Sequence, residues 1–171
     1  MAADHALAGV RIQLEQIEAA LLRAAEADSP MVTEAAQHII AAGGKRFRPL
    51  LVVLGSHIGP YADPDDVVKA AVVVELTHVG SLYHDDVMDE AELRRGMRSA
   101  NARFDNKVAV LTGDYLFARA SEVTASLGTE ATRVLARAPT PTTARVVQPG
   151  RTAEAGASVG SEKNISTITR M

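Results

Sequence analysis

The stretch Gly80-Ser-Leu-Tyr-His-Asp-Asp-Val-Met-Asp89, with Arg94-Arg95-Gly96 close behind it, carries the reading of this chain. Its carboxylates, Asp85, Asp86 and Asp89, stand at i, i+1 and i+4. On a helix, i and i+4 lie one above the other and i+1 sits about 100° round. One short face then presents two or three carboxylates, a surface for hard divalent cations. Mg2+ takes one or two protein carboxylates and fills its other positions with water and phosphate oxygens. Arg94 and Arg95 just beyond point to an anion as the remaining ligand, most simply a diphosphate. The plainer alternative is a solvated helix end, with the arginines paired to Asp89, Glu90 and Glu92. Against it, acids at a helix C-terminus oppose the dipole, and a bound cation would offset that cost.

Upstream of this stretch the spacing predicts a long central helix, capped by Asp65 or Asp66 and reaching Glu90 to Glu92. Its first half is apolar on nearly every side, which implies burial all round. Glu75, His78, Leu82, Asp85 and Asp89 recur at steps of three and four. Polar groups on a buried helix must face partners or a wet cavity. His78, two turns before Asp85, is expected to line the same cavity; Glu75 is given a structural role.

Outside the central helix, Leu7, Val10, Leu14, Ile17 and Leu21 form one helical stripe over residues 4–27. Asp28-Ser29-Pro30 breaks it and starts a second helix to Ala42, with Val32, Ala35, Ala36, Ile39 and Ile40 facing inward. Gly43-Gly44 ends that helix. Lys45-Arg46-Phe47-Arg48-Pro49 then leads into a third, Pro49 to His57. The glycines let the backbone approach a ligand, and cations beside a helix start suit an anion, so Lys45, Arg46 and Arg48 are read as phosphate contacts rather than a solvated turn. After the central helix, residues to Asn101 read as a loop. A fifth helix follows from Asn106 to Leu127, carrying Val108, Leu111, Tyr115, Leu116, Ala118 and Val123, and a sixth begins at Thr129. Gly113 within the fifth allows close helix packing.

Composition narrows the class. Aromatics make up 4% and net charge is −3, which gives no case for a nucleic-acid partner. The absence of cysteine excludes disulfides and thiol chemistry. The longest apolar run contains Lys69, Glu75 and His78, so no transmembrane segment is expected, and the N-terminus does not read as a signal peptide. A cytoplasmic location is the expectation. Residues 139–171 hold Pro139, Pro141 and Pro149, with no aromatic, no leucine and no apolar period. They read as an irregular or disordered tail after a helical region, 1–138.

With these motifs in place, the chain resembles the N-terminal half of a trans-polyprenyl diphosphate synthase. The matching positions are Gly43-Gly-Lys-Arg-Phe-Arg-Pro49, His78, Asp85-Asp-Val-Met-Asp89, Arg94-Arg95-Gly96 and Leu111-Thr-Gly-Asp-Tyr115, spread over roughly residues 5–137. The resemblance implies an all-α fold, an antiparallel helical bundle of the isoprenoid synthase type around a deep cavity. It implies Mg2+-dependent head-to-tail condensation of isopentenyl diphosphate with an allylic prenyl diphosphate, in a homodimer or hetero-oligomer. By resemblance Asp85 and Asp89 hold Mg2+, Asp86 supports them, and Arg94 contacts the allylic diphosphate. Lys45, Arg48, His78 and Arg95 would hold the diphosphate of isopentenyl diphosphate. Side chains just before Asp85 govern product length in the family; small Gly80 and Ser81 lean toward a product longer than farnesyl, with Val74 and Thr77 deeper. The family's second aspartate-rich motif does not occur in these 171 residues. The expected architecture is therefore a truncated bundle, and the alternative function is an inactive remnant or a regulatory partner subunit.

Overall fold

The computed structural model describes residues 2–138, with side chains from residue 8 onward. The expected irregular tail and the core position of Leu7 lie outside what is described. Within it the chain is the expected all-α bundle, with one minimal hairpin that the sequence did not predict.

Helix α1 spans Ala2–Ala24 and buries Ile17 and Leu21, with Val10 and Leu14 packed alongside. The break before α2 (Pro30–Ala41) is held by Thr33, whose hydroxyl accepts from Ala27 N at 2.9 Å and donates to Ala27 O at 3.1 Å. Gly43 ends α2 in the left-handed region, φ +77°, where glycine meets no Cβ penalty, and its N–H reaches Ile40 O at 3.0 Å. Helix α3 runs Phe47–Ser56, starting before Pro49 rather than at it.

Helix α4, Pro64–Met88, is the axis. Asp63, not Asp65 or Asp66, is its cap: Asp63 Oδ1 accepts from Asp65 N at 2.8 Å, and the two later acids lie in the first turn, where the dipole favours them. The helix stops at Met88 with Asp89 as its C-cap, short of the expected Glu90 to Glu92. Tyr83 is fully buried on α4; its hydroxyl donates to Ala35 O and accepts from Ile39 N at 3.4 Å, tying α4 to α2.

The expected loop up to Asn101 is partly ordered. Strands β1 (Leu93–Arg94) and β2 (Met97–Arg98) pair antiparallel, Leu93 opposite Arg98 and Arg94 opposite Met97. Arg95 and Gly96 form the turn, both at positive φ (54° and 79°), as a two-residue hairpin of right-handed twist requires. Ser99 then caps a short α5, Ala100–Phe104.

Helix α6, Asn106–Ser126, makes the broadest packing against α4, and α7 (Thr129–Arg137) follows it. Its inward face is Ala109, Thr112, Gly113, Leu116, Ala120 and Thr124, mostly small. Leu111, counted among the helix's apolar positions, is 68% exposed and is not part of that face. The two helices approach closely at Gly80 and Gly113: a Cβ on either would lie 3.1 Å from the other's carbonyl oxygen. No helix among the described residues is long and apolar enough to cross a membrane.

Candidate functional site

Helix packing brings three separate segments to one pocket of about 380 Å³: Gly43 to Arg48, which joins the end of α2 to the first turn of α3, Glu75 and His78 on α4, and Arg95 at the hairpin tip. Lys45, Arg48, His78 and Arg95, predicted to act together, do line one space. They come together for local reasons. The loop leaves α2 through left-handed Gly43, and the tight hairpin turn aims Arg95 back at the C-terminus of α2. There its Nη1 donates to Gly43 O and, at 3.3 Å, to Ile39 O. A cation at carbonyls that end a helix is favourable. A Cβ on Gly44 would sit 2.9 Å from that guanidinium nitrogen, so Arg95 lies directly across the loop and would have to shift its tip for a larger residue 44.

Arg46 departs from the expectation of a phosphate contact. Its side chain is 11% exposed and turned inward, with Nε 2.6 Å from Glu18 Oε2 and Nη1 3.1 Å from Glu75 Oε1. Two carboxylates neutralise it, so the pocket's attraction for anions falls to Lys45, Arg48 and Arg95. Glu75, read as structural, is the buried half of that network. Glu18 was not singled out in the sequence, although it sits at the edge of the Leu14, Ile17, Leu21 stripe, where a charge needs a partner.

Asp85 and Asp86 part company. Asp86 is fully buried and paired with Arg94, whose Nε donates to Asp86 Oδ1 at 2.7 Å and whose Nη2 reaches the same oxygen. Arg94 is thus partnered by Asp86. Asp85, 8% exposed, and Asp89, exposed at the helix end, remain one turn apart. No group of three His, Cys, Asp or Glu side chains able to hold a metal converges among the described residues. Two carboxylates fit an ion that shares its shell with a phosphate, not one in an all-protein cage.

His78 links the two regions. Its Nδ1 is buried with no hydrogen-bond partner among the described residues. Burial first, then the positive charges of Arg48 and Arg95, push its pKa down to about 4, against a smaller opposing pull from Asp85. The folded state therefore keeps His78 neutral, while the unfolded chain protonates it near its ordinary value. The stabilisation is present above pH 6.5 and is lost as pH falls through about 4. The full shift corresponds to about 3 kcal/mol, and solvent screening of a half-buried ring reduces this to about 1–2 kcal/mol. Urea unfolding between pH 7 and 4 is expected to show that much less acid destabilisation in His78→Gln than in the wild type; equal slopes would contradict the assignment.

Gly80 and Ser81, the small residues before Asp85, are both buried. Gly80 packs on Gly113, Leu116 and Phe117, and the Ser81 hydroxyl donates to His78 O at 2.8 Å. One turn deeper, Thr77 lines a largely apolar cavity of about 220 Å³ with Phe117, Ala120 and Thr124 and with α7.

Comparison with known proteins places the chain in one family. The family model for polyprenyl synthetase matches residues 29–147. Nonaprenyl diphosphate synthase of Mycobacterium tuberculosis is 49% identical over 124 residues, 72% of this chain and 36% of its own. Heptaprenyl diphosphate synthase component 2 of Geobacillus stearothermophilus is 46% identical over 125 residues, 72% of this chain and 39% of its own. The crystal structure of polyprenyl synthase from Caulobacter crescentus CB15, complexed with calcium and isoprenyl diphosphate, superposes with a TM-score of 0.72. It is 36% identical, and the match covers 78% of this chain and 41% of that one. The chain spans a little over a third of the length of these curated relatives.

Proposed function

The chain belongs to the polyprenyl synthetase family, and from that premise we propose that it takes part in the Mg2+-dependent condensation of isopentenyl diphosphate with an allylic prenyl diphosphate. The observation that carries the reading is the convergence of Lys45, Arg48, Arg95 and His78 on one pocket, beside the helix face bearing Asp85 and Asp89.

In this reading Lys45, Arg48 and Arg95 bind the diphosphate of isopentenyl diphosphate, and a ligand oxygen would supply the partner that His78 Nδ1 lacks among the described residues. An anion there is stabilised by fixed charges that need little reorganisation. Asp85 and Asp89 would hold Mg2+, which when bound stabilises negative charge on the departing diphosphate of the allylic substrate. Arg94, held by Nε and Nη2 on Asp86, retains further N–H donors for that same diphosphate. The apolar cavity at Thr77, Phe117 and Ala120 suits a growing prenyl chain, which it would shield from water. Heptaprenyl diphosphate synthase component 2 carries in its name the existence of another component; by analogy, activity here can require a second chain.

The test is prenyl transfer with labelled isopentenyl diphosphate, an allylic diphosphate and Mg2+, alongside Asp85→Asn. Product from the wild type and at least about a hundredfold less from the variant is the expected result, the usual scale of losing a charge-stabilising group. Equal rates would sink the assignment of Asp85. No product from wild-type protein that circular dichroism shows folded would favour the alternative, a chain that binds without turning over.

A further inference from the structure

The segment from Gly43 to Arg48, a loop running into the first turn of α3, presents cations at three of four successive positions, yet only Lys45 and Arg48 are available to an anion. Arg46 sits between them in the left-handed region, φ 43° and ψ 37°, a conformation unfavourable for any residue with a Cβ. Such backbone persists only where the surroundings over-determine it. Here the surroundings are one fork of hydrogen bonds. Arg46 Nε and Nη2 each lie 2.6 Å from a different oxygen of Glu18 on α1. Nη1 reaches Glu75 Oε1 on α4 at 3.1 Å, and Nη2 also donates to Ile40 O at the end of α2 at 2.8 Å. The same residue's backbone opens α3, its carbonyl accepting from Leu50 N at 2.9 Å.

We propose that Arg46 is a positioning residue and that Glu18 belongs to the diphosphate site through it: the Glu18–Arg46–Glu75 clamp holds the loop so that Lys45 and Arg48 face the pocket. The inference rests on the diphosphate reading of that pocket and deepens it. Arginine is required because its planar fork meets a carboxylate with two parallel bonds and still reaches a second one; a lysine ammonium would satisfy one partner at a time. Hydrogen bonding to Glu18, the largest influence, raises the guanidinium's pKa and keeps the clamp charged. Glu18 lies before residue 29, where the family match begins, so this assigns to α1 a part in the site that the matched region does not contain.

The experiment is titration calorimetry of the full chain with inorganic pyrophosphate in buffer containing a chelator, below the melting transition of each variant. Lys45→Ala and Arg48→Ala test the underlying reading; if neither weakens binding, the pocket is not a diphosphate site. Where they do weaken it, Glu18→Gln, nearly isosteric at a half-exposed position, is expected to bind roughly tenfold more weakly, the scale of losing a supporting contact behind a ligand. Arg46→Gly tolerates the left-handed backbone but lacks the clamp and is expected to lose as much. Arg46→Lys is expected to stay weak despite its charge. Wild-type affinity in Glu18→Gln would overturn the proposal, and so would full rescue by Arg46→Lys, which would make residue 46 a simple positive charge near the ligand. Should Glu18→Gln not fold, the comparison of Arg46→Gly with Arg46→Lys decides the question alone.

Discussion

Replacing Arg94 by methionine is expected to destabilise the folded chain by about 3–5 kcal/mol, the scale for stranding one member of a buried ion pair. The two partners are not equivalent. The Asp86 side chain is fully buried, whereas Arg94 keeps 29% of its surface. Without Arg94, a carboxylate stays in the helix packing with no counter-charge, and its Oδ2 already has no hydrogen-bond partner among the described residues. Removing the other charge, by Asp86→Asn, leaves a guanidinium that water can reach and an amide oxygen that can still accept from it. That variant is expected to lose about 1–2 kcal/mol, closer to the cost of weakening a charged hydrogen bond. The double variant should recover at least about 2 kcal/mol relative to Arg94→Met, because neighbours sharing one interaction are not additive. Urea unfolding of the four proteins at pH 7 reads all three quantities. If Arg94→Met costs under about 1 kcal/mol, below what a buried unpaired carboxylate demands, then the end of α4 is open to water and Asp86 is solvated. Against a typical domain stability of about 5–15 kcal/mol, the larger value would also lower the yield of folded protein. Loss of activity in an Arg94 variant therefore needs a stability measurement beside it before it is read as loss of a substrate contact.

How much of this was legible in the sequence depended on how local each signal is. The helices were legible because apolar steps of three and four repeat over several turns, as at Leu14, Ile17 and Leu21 in α1 and Ala35, Ala36, Ile39 and Ile40 in α2. The hairpin was not, since strands of two residues are too short to show a period, and Arg95-Gly96 is a weak turn signal. That omission mattered, because the hairpin decides the fate of three charges at once. It sends Arg94 to Asp86 and Arg95 to the end of α2. From sequence, Asp85 and Asp86 are adjacent acids separated only by about 100° of rotation, and nothing local says which one finds a buried partner. The basic loop has the same ambiguity. Lys45, Arg46 and Arg48 are equivalent as a charge cluster, and what separates them is a carboxylate on α1, 28 positions before Arg46. Long-range pairing of this kind is tertiary information. The stripe of Glu75, His78 and Asp85 was legible because a polar series on an otherwise apolar helix must be satisfied by something.

Placing a side chain on Gly113 is expected to have an effect of similar size, by the opposite route of overpacking. A Cβ built there would lie 2.4 Å from His84 Nε2 and 2.6 Å from its Cδ2, well inside contact distance, and 3.1 Å from Gly80 O. His84 occupies this slot between α4 and α6, with Nε2 3.2 Å from Val110 O and 3.3 Å from Asp114 Oδ1 and its ring tilted against Phe117. In Gly113→Ala two terms oppose each other. Alanine gains about 1 kcal/mol of helix propensity over glycine. Evicting the imidazole loses its hydrogen bond and adds overpacking strain of about 1–3 kcal/mol. The net expectation is a loss of about 1–2 kcal/mol for alanine, strain outweighing propensity. In Gly113→Val most of the propensity gain disappears, and two further methyl groups enter a buried crossing that the Gly80 backbone blocks. Its expected loss is about 3–5 kcal/mol, beyond the ordinary overpacking range because backbone as well as a side chain must move. His84→Ala supplies the discriminating control. Made in the Gly113→Ala background, it empties the slot and should restore at least about 1 kcal/mol, whereas in the wild type it should destabilise. Urea unfolding of this second cycle tests the geometry. A Gly113→Val protein within about 1 kcal/mol of wild type, less than overpacking normally costs, would mean that α4 and α6 do not approach each other this closely. The crossing matters for the site as well as for stability. Gly80 lies between His78 and Asp85 on α4, so any shift of this contact moves the cationic pocket and the carboxylate face relative to α6. A displacement of about 1 Å is enough to cost a site much of its function, which makes the two glycines part of what keeps the polar stripe in register.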